Sequence, residues 1–193
     1  MAGHRGLSGR QLRLVLLTLV WATGPGFIAP PHALATACNG LIATIDGSSS
    51  TTGLVIHGTS GPDVIHGSPF ADLIDGRGGN DTICGDLGAD HISGGSGTDA
   101  IFGDGFAGAG DGANAIDGGP GTDNIVGGDG DDTISGGRGS DTLQGGANGD
   151  DTIFGNDEGT SPSPDTIDGG AVDAGAGDSC FTDGSDGVPA NCP

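Results

Sequence analysis

At 193 residues the chain has room for one domain. It carries 26 acidic residues against five basic ones, with 44 glycines and no tyrosine. That balance excludes direct binding to nucleic acid or to an anionic membrane without a bridging cation, and it would signal disorder unless the chain contains a repeat.

Residues 1–35 read as a secretory signal peptide. Arg5, Arg10 and Arg13 make a basic start, and the apolar run Leu14 to Ala22 is too short to span a bilayer stably. Small residues at Ala33–Ala35 or Ala35–Ala37 offer cleavage after Ala35 or Ala37. An uncleaved anchor is the alternative. A lipoprotein signal ending at Cys38 fits less well, because the apolar run stops far upstream. The segment predicts a secreted, extracellular protein with no direct membrane insertion. Beyond it only Arg77 and Arg138 oppose all 26 acids, so the mature chain needs cations.

Cys38, Cys84, Cys180 and Cys192 form an even set in an exported chain, which favours two disulfides. Three connectivities are open. Cys38–Cys84 with Cys180–Cys192 is preferred, because each bridge then closes one end. The spacings exclude a CxxC metal site.

Residues 36–56 read as an N-terminal cap, with strand-like stretches in "CNGLIATIDG" and "TGLVIHG". A repeat then occupies 57–179. Twelve units open at Gly58, Gly67, Gly76, Gly85, Gly94, Gly103, Gly118, Gly127, Gly136, Gly145, Gly155 and Gly169. Within each, an Asp stands near the sixth place: Asp63, Asp72, Asp81, Asp90, Asp99, Asp123, Asp132, Asp141, Asp151, Asp165 and Asp178. The sixth unit has Asn114 instead. Two places further comes an aliphatic residue, from Ile65 to Ile167, with Cys180 in the last unit. The short segment around that aliphatic alternates faces like a strand, and the glycines turn the chain back. Two units make one coil, so residues eighteen apart stack on a ladder of about 4.8 Å rungs. Residues 180–193 read as a disulfide-closed C-terminal cap.

Stacking places like charges over one another. Two carboxylates about 5 Å apart repel by about 1 kcal/mol in water and about 3 kcal/mol at an effective dielectric of about 20. A divalent cation between successive turns reverses that sign. Hard oxygen donors without His or Cys suit Ca2+. One aliphatic per nine residues is also a thin core, so metal binding is expected to be coupled to folding.

The units "GGSGTDAIF", "GGDGDDTIS" and "GGRGSDTLQ" follow G-G-x-G-x-D-x-U-x, where U is a large aliphatic residue. This resembles the repeats-in-toxin (RTX) calcium-binding family. The resemblance implies several Ca2+ ions held by the repeat aspartates together with turn carbonyls of units such as those opening at Gly76, Gly94, Gly118, Gly127 and Gly136. It also implies an all-β fold, a right-handed parallel β-roll of about six two-strand coils with disulfide-tied ends. Metal sites are doubtful at the departures from pattern: the enlarged sixth unit, the eleventh unit with its Pro/Ser insertion, and the second unit with Phe70 in place of Gly.

No HExxH or GxSxG motif occurs, and no helix follows the glycine loops to receive a phosphate. His57 and His66 are expected at the surface or in a cap, and His91 on a solvated strand. The acid pairs Asp131–Asp132 and Asp150–Asp151 each contain one repeat Asp, so they are not read as a glycosidase pair. The expected protein is a non-catalytic, monomeric calcium binder with a structural or matrix role, bridging by calcium to an acidic surface or polysaccharide. The alternatives are an adhesin, an ice- or polymer-binding module, or an extracellular hydrolase. Thr82, Thr133, Thr142 and Thr152 make too irregular an array to favour ice.

Overall fold

A computed structural model describes residues 37–105, 112–156, 163–171, 177–182, 184, 186–187 and 189–192. The predicted signal segment lies outside the described residues, as do insertion residues 106–111, 157–162 and 172–176.

The described chain is all β. A short antiparallel hairpin, β1 (Ala37–Cys38) and β2 (Leu41–Ile42), precedes the stack. Odd-numbered strands form one parallel sheet of seven: β3 (Ile45–Asp46), β5 (Val64–His66), β7 (Thr82–Asp86), β9 (Ala100–Asp104), β11 (Asn124–Gly128), β13 (Thr142–Ala147) and β15 (Thr166–Ala171). Even-numbered strands form the other parallel sheet of seven: β4 (Val55–His57), β6 (Leu73–Asp75), β8 (His91–Ser93), β10 (Ala115–Pro120), β12 (Thr133–Arg138), β14 (Thr152–Phe154) and β16 (Ser179–Phe181). Each coil contributes one strand to each sheet, which is a β-roll. The twelve repeat units supply β5 to β16, and β3 and β4 add a coil upstream.

The aliphatic series sets the register. Ile65 pairs with Ile83, Ile83 with Ile101, Ile101 with Ile125, and so on through Leu143 to Ile167. On the other sheet the row runs from Ile56 through Ile74, Ile92, Ile116, Ile134 and Ile153 to Cys180. All but Cys180 are buried, and together they are the core, with Ile45 and Leu54 packed against it at the start. Insertions leave this register intact. Ile92 still pairs with Ile116, and Ile153 with Cys180, because the additional residues leave the strands in line and fall between them.

Both expected disulfides are present, Cys38–Cys84 and Cys180–Cys192. The first ties the hairpin to β7, where it lies against β5 and β7. The second ties the inward place of β16 to the tail. That tail adds a rung to the odd-numbered sheet: Gly169 N donates to the Ala190 carbonyl, and Ala190 N to that of Ile167, at 2.9 and 3.0 Å. Backbone groups at this edge are thereby paired rather than left open. Outside the core, Phe154 and Phe181 stack on the outer face of the even-numbered sheet with ring centroids 4.8 Å apart.

Because each repeat unit gives the core a single aliphatic side chain, each one matters. Ile125→Ala should lower unfolding free energy by about 2–5 kcal/mol. The outward neighbour substitution Val126→Ala should cost within about 0.5 kcal/mol. Urea unfolding in saturating calcium measures both.

Candidate metal centre

The repeat aspartates lie at the turn that leads into each strand, and the roll brings them into two files. Asp63, Asp81, Asp99, Asp123, Asp141 and Asp165 precede the strands of the odd-numbered sheet. Asp72, Asp90, Asn114, Asp132, Asp151 and Asp178 precede those of the even-numbered sheet. All are buried, each less than a tenth exposed.

The files are held by a hydrogen bond that spacing alone does not reveal. From Asp63 to Asp165, the backbone N–H of the repeat Asp donates to a side-chain Oδ1 one coil further on: Asp63 to Asp81 at 2.9 Å, Asp81 to Asp99 at 2.8 Å, Asp99 to Asp123 at 2.9 Å. The second file does the same, from Asp72 to Asp90 at 2.8 Å and from Asp132 to Asp151 at 2.9 Å. Asn114 keeps the ladder, accepting from Asp90 N through its amide oxygen at 2.9 Å and donating its own N–H to Asp132 at 2.8 Å. Sequence spacing missed one member. Asp186, in the tail "DGSDG", accepts from Asp165 N at 2.9 Å and continues the first file. The signal for it is Gly/Asp composition beyond the last unit, without the repeat spacing.

The second oxygen has a different situation. Oδ2 of Asp81, Asp90, Asp99, Asp123 and Asp132 is buried and accepts no hydrogen bond. It lies over the opening glycine of its own turn. A Cβ on Gly76 would fall 2.7 Å from Asp81 Oδ2 and 2.5 Å from the Gly94 carbonyl, which is the reason this position must be glycine. Gly94, Gly118 and Gly136 stand in the same relation to Asp99, Asp123 and Asp141, each at 2.6 Å, and Gly127 to Asp132. The predicted site residues therefore assemble as glycine–aspartate pairs, stacked coil on coil.

A buried carboxylate with an unmet acceptor is costly in its charged form. Burial, opposed by the ladder N–H and reinforced by neighbouring carboxylates, pushes Asp90 and Asp123 up to about 7 and Asp132 to about 8. Asp151 rises to about 6 from the same causes. Asp81 and Asp99 are also raised, chiefly by burial. This is what a cation would relieve. The donor set is all oxygen, which fits Ca2+. Among the described residues no three His, Cys, Asp or Glu side chains converge on one point. An ion held here would therefore draw on turn carbonyls beside the aspartates, as the resemblance implies. Bound calcium would supply positive charge to the unmet oxygens.

The profile of the RTX calcium-binding nonapeptide repeat, four copies long, matches residues 57–92, 85–108 and 108–143. The chain is an RTX calcium-binding repeat protein. No curated protein and no solved structure matches it. The RTX turns reach beyond the matched residues, since the aspartate ladder runs on through Asp151 and Asp165 to Asp178 and Asp186.

The histidines divide. His57 is half-exposed, 3.4 Å from Asp75, and His91 is exposed, as expected. His66 corrects the surface expectation. It is buried, with Nδ1 3.2 Å from Asp86 Oδ2, because the disulfide-tied hairpin lies against β5. Of the acid pairs, Asp132 and Asp151 belong to the ladder. Asp131 and Asp150 are exposed: Asp150 N donates to Asp131 Oδ1 at 2.9 Å, and Asp150 Oδ1 accepts from Gly177 N at 2.8 Å.

The raised carboxylates set a pH dependence. A group whose pKa is higher folded than unfolded lends stability below its unfolded value, near 4, and loses it as pH rises through the folded value. In chelator, urea midpoints should therefore fall as pH rises from about 6 to about 8, the range spanned by the raised values. In saturating calcium the trend should reverse, because the ion needs ionised carboxylates. A chelated midpoint independent of pH would refute buried, unmet aspartates.

Proposed function

We propose that this is a secreted, non-catalytic protein that folds on binding several calcium ions in its Gly/Asp turns and serves a structural or matrix role. The row of buried carboxylate oxygens without hydrogen-bond partners carries this reading. A chain that stacks such oxygens coil on coil gains most from a cation present only in the folded state. One site contributes about 2.7 kcal/mol at a hundredfold excess over its dissociation constant. Two disulfides are consistent with an extracellular setting, where the predicted signal segment would send the chain. With 26 acids in the chain, partners are acidic surfaces or polysaccharides met through shared calcium.

An adhesive role is the second reading. The outer face of the even-numbered sheet carries the Phe154–Phe181 stack, with Phe181 51% exposed. Near it, a shallow pocket of about 300 Å³ is lined by Asp117, Pro120, Ser135, Arg138 and Asn156. An ice-binding face is less favoured: Thr133 pairs with Thr152 on one sheet, and Thr142 with Thr166 on the other.

Far-ultraviolet circular dichroism of the disulfide-intact chain, titrated with CaCl2 against chelator, tests the main reading. A cooperative gain of β signal with calcium and not with magnesium is expected. A β signal already complete in chelator would reduce calcium to an accessory role. A hydrolytic activity that survives Asp-to-Asn changes in the repeats would overturn the non-catalytic assignment.

A further inference from the structure

The twelve turns are not alike, and the second residue of each unit divides them. In nine it has positive φ: Arg77, Asp86, Asn156 and six glycines from Gly95 to Gly170. In the first, second and sixth units it is Thr59, Ser68 and Asp104, none with positive φ. The five aspartates with an unmet Oδ2 all belong to turns of the first kind.

Turns of the second kind close on themselves. Asp63 Oδ2 accepts from Thr59 N at 2.6 Å and from its hydroxyl at 2.9 Å. Asp72 Oδ2 accepts from Ser68 N at 2.6 Å, and its Oδ1 from the Ser68 hydroxyl at 2.8 Å. The sixth turn reaches the same end by exchange. The amide oxygen of Asn114 must face Asp90 N, because only an acceptor can meet that N–H. Its Nδ2 therefore falls where other turns hold the unmet oxygen, 2.7 Å from a Cβ built on Gly103. Asp104 receives it, with Oδ1 3.2 Å from Nδ2, while Asp104 Oδ2 accepts from Asp129 N at 2.6 Å. A donor stands where a cation would need an acceptor, and the carboxylate has moved to the second place.

We infer that the second residue of each repeat decides whether its turn takes a calcium ion, and that the turns of Asp63, Asp72 and Asn114 close without one. This rests on the calcium reading above. The closed turns hold their polar groups in order without metal. They give the roll a metal-independent start at its first two units and a metal-independent rung at the enlarged sixth unit. Calcium then completes the turns whose second residue is left-handed.

The test is the number of ions bound per full-length, disulfide-intact chain, measured by equilibrium dialysis with radioactive calcium. The double substitution Asp104→Gly with Asn114→Asp restores the common pattern and should add one ion per chain. Asp132→Asn should lose at least one, and Asp63→Asn none. Asn114→Asp alone leaves the second residue, Asp104, unchanged and should add no ion. An unchanged count in the double variant would overturn the inference. So would a loss in Asp63→Asn equal to that in Asp132→Asn, or an ion gained by Asn114→Asp alone. No calcium uptake by the unaltered chain would instead sink the reading on which the inference rests.

Discussion

The hydrogen bond from each repeat aspartate's backbone N–H to the carboxylate one coil on is the constraint from which the rest of the architecture follows. It ties neighbouring coils at both edges and fixes the height of each turn. It also orients the side chain inward, so that one carboxylate oxygen is satisfied and the other is delivered to the interior. Charge, which at the surface would be solvated, becomes a buried liability that only a cation or a local donor can answer. The core could not carry the fold otherwise, because each unit contributes a single aliphatic to it.

Glycine serves this arrangement by absence. The opening glycine of a turn carries the aspartate's second oxygen over its Cα, with a carbonyl of the next coil nearby. Any side chain would fill the space in which the oxygen sits. Calcium affinity and the demand for glycine therefore arise from one piece of geometry.

Much of this was legible in advance. The nine-residue phase of the aliphatics predicted two parallel sheets, and both files of aspartate were readable from their spacing. The coil made by β3 and β4 was not, because Ile45 and Ile56 join the core without a glycine–aspartate turn of the repeat type before them. Asn114 looked like a break in the ladder and is not one, because an amide oxygen accepts the same bond as a carboxylate. His66 was misplaced for a tertiary reason: its burial depends on a hairpin held across a disulfide from β7. The role of Asp104 was within reach of the sequence, since an acid replaces glycine in the one unit whose aspartate is missing. Only the direction of the Asn114 amide gives that exchange a meaning.

The enlarged units suggest how such a chain can diversify. Ile92 meets Ile116 and Ile153 meets Cys180 across separations well beyond the usual eighteen, yet the rows stay in line. New sequence can be spliced between strands while both aliphatic rows stay in register. A lineage building on this scaffold could graft recognition segments between strands and leave its folding machinery unaltered.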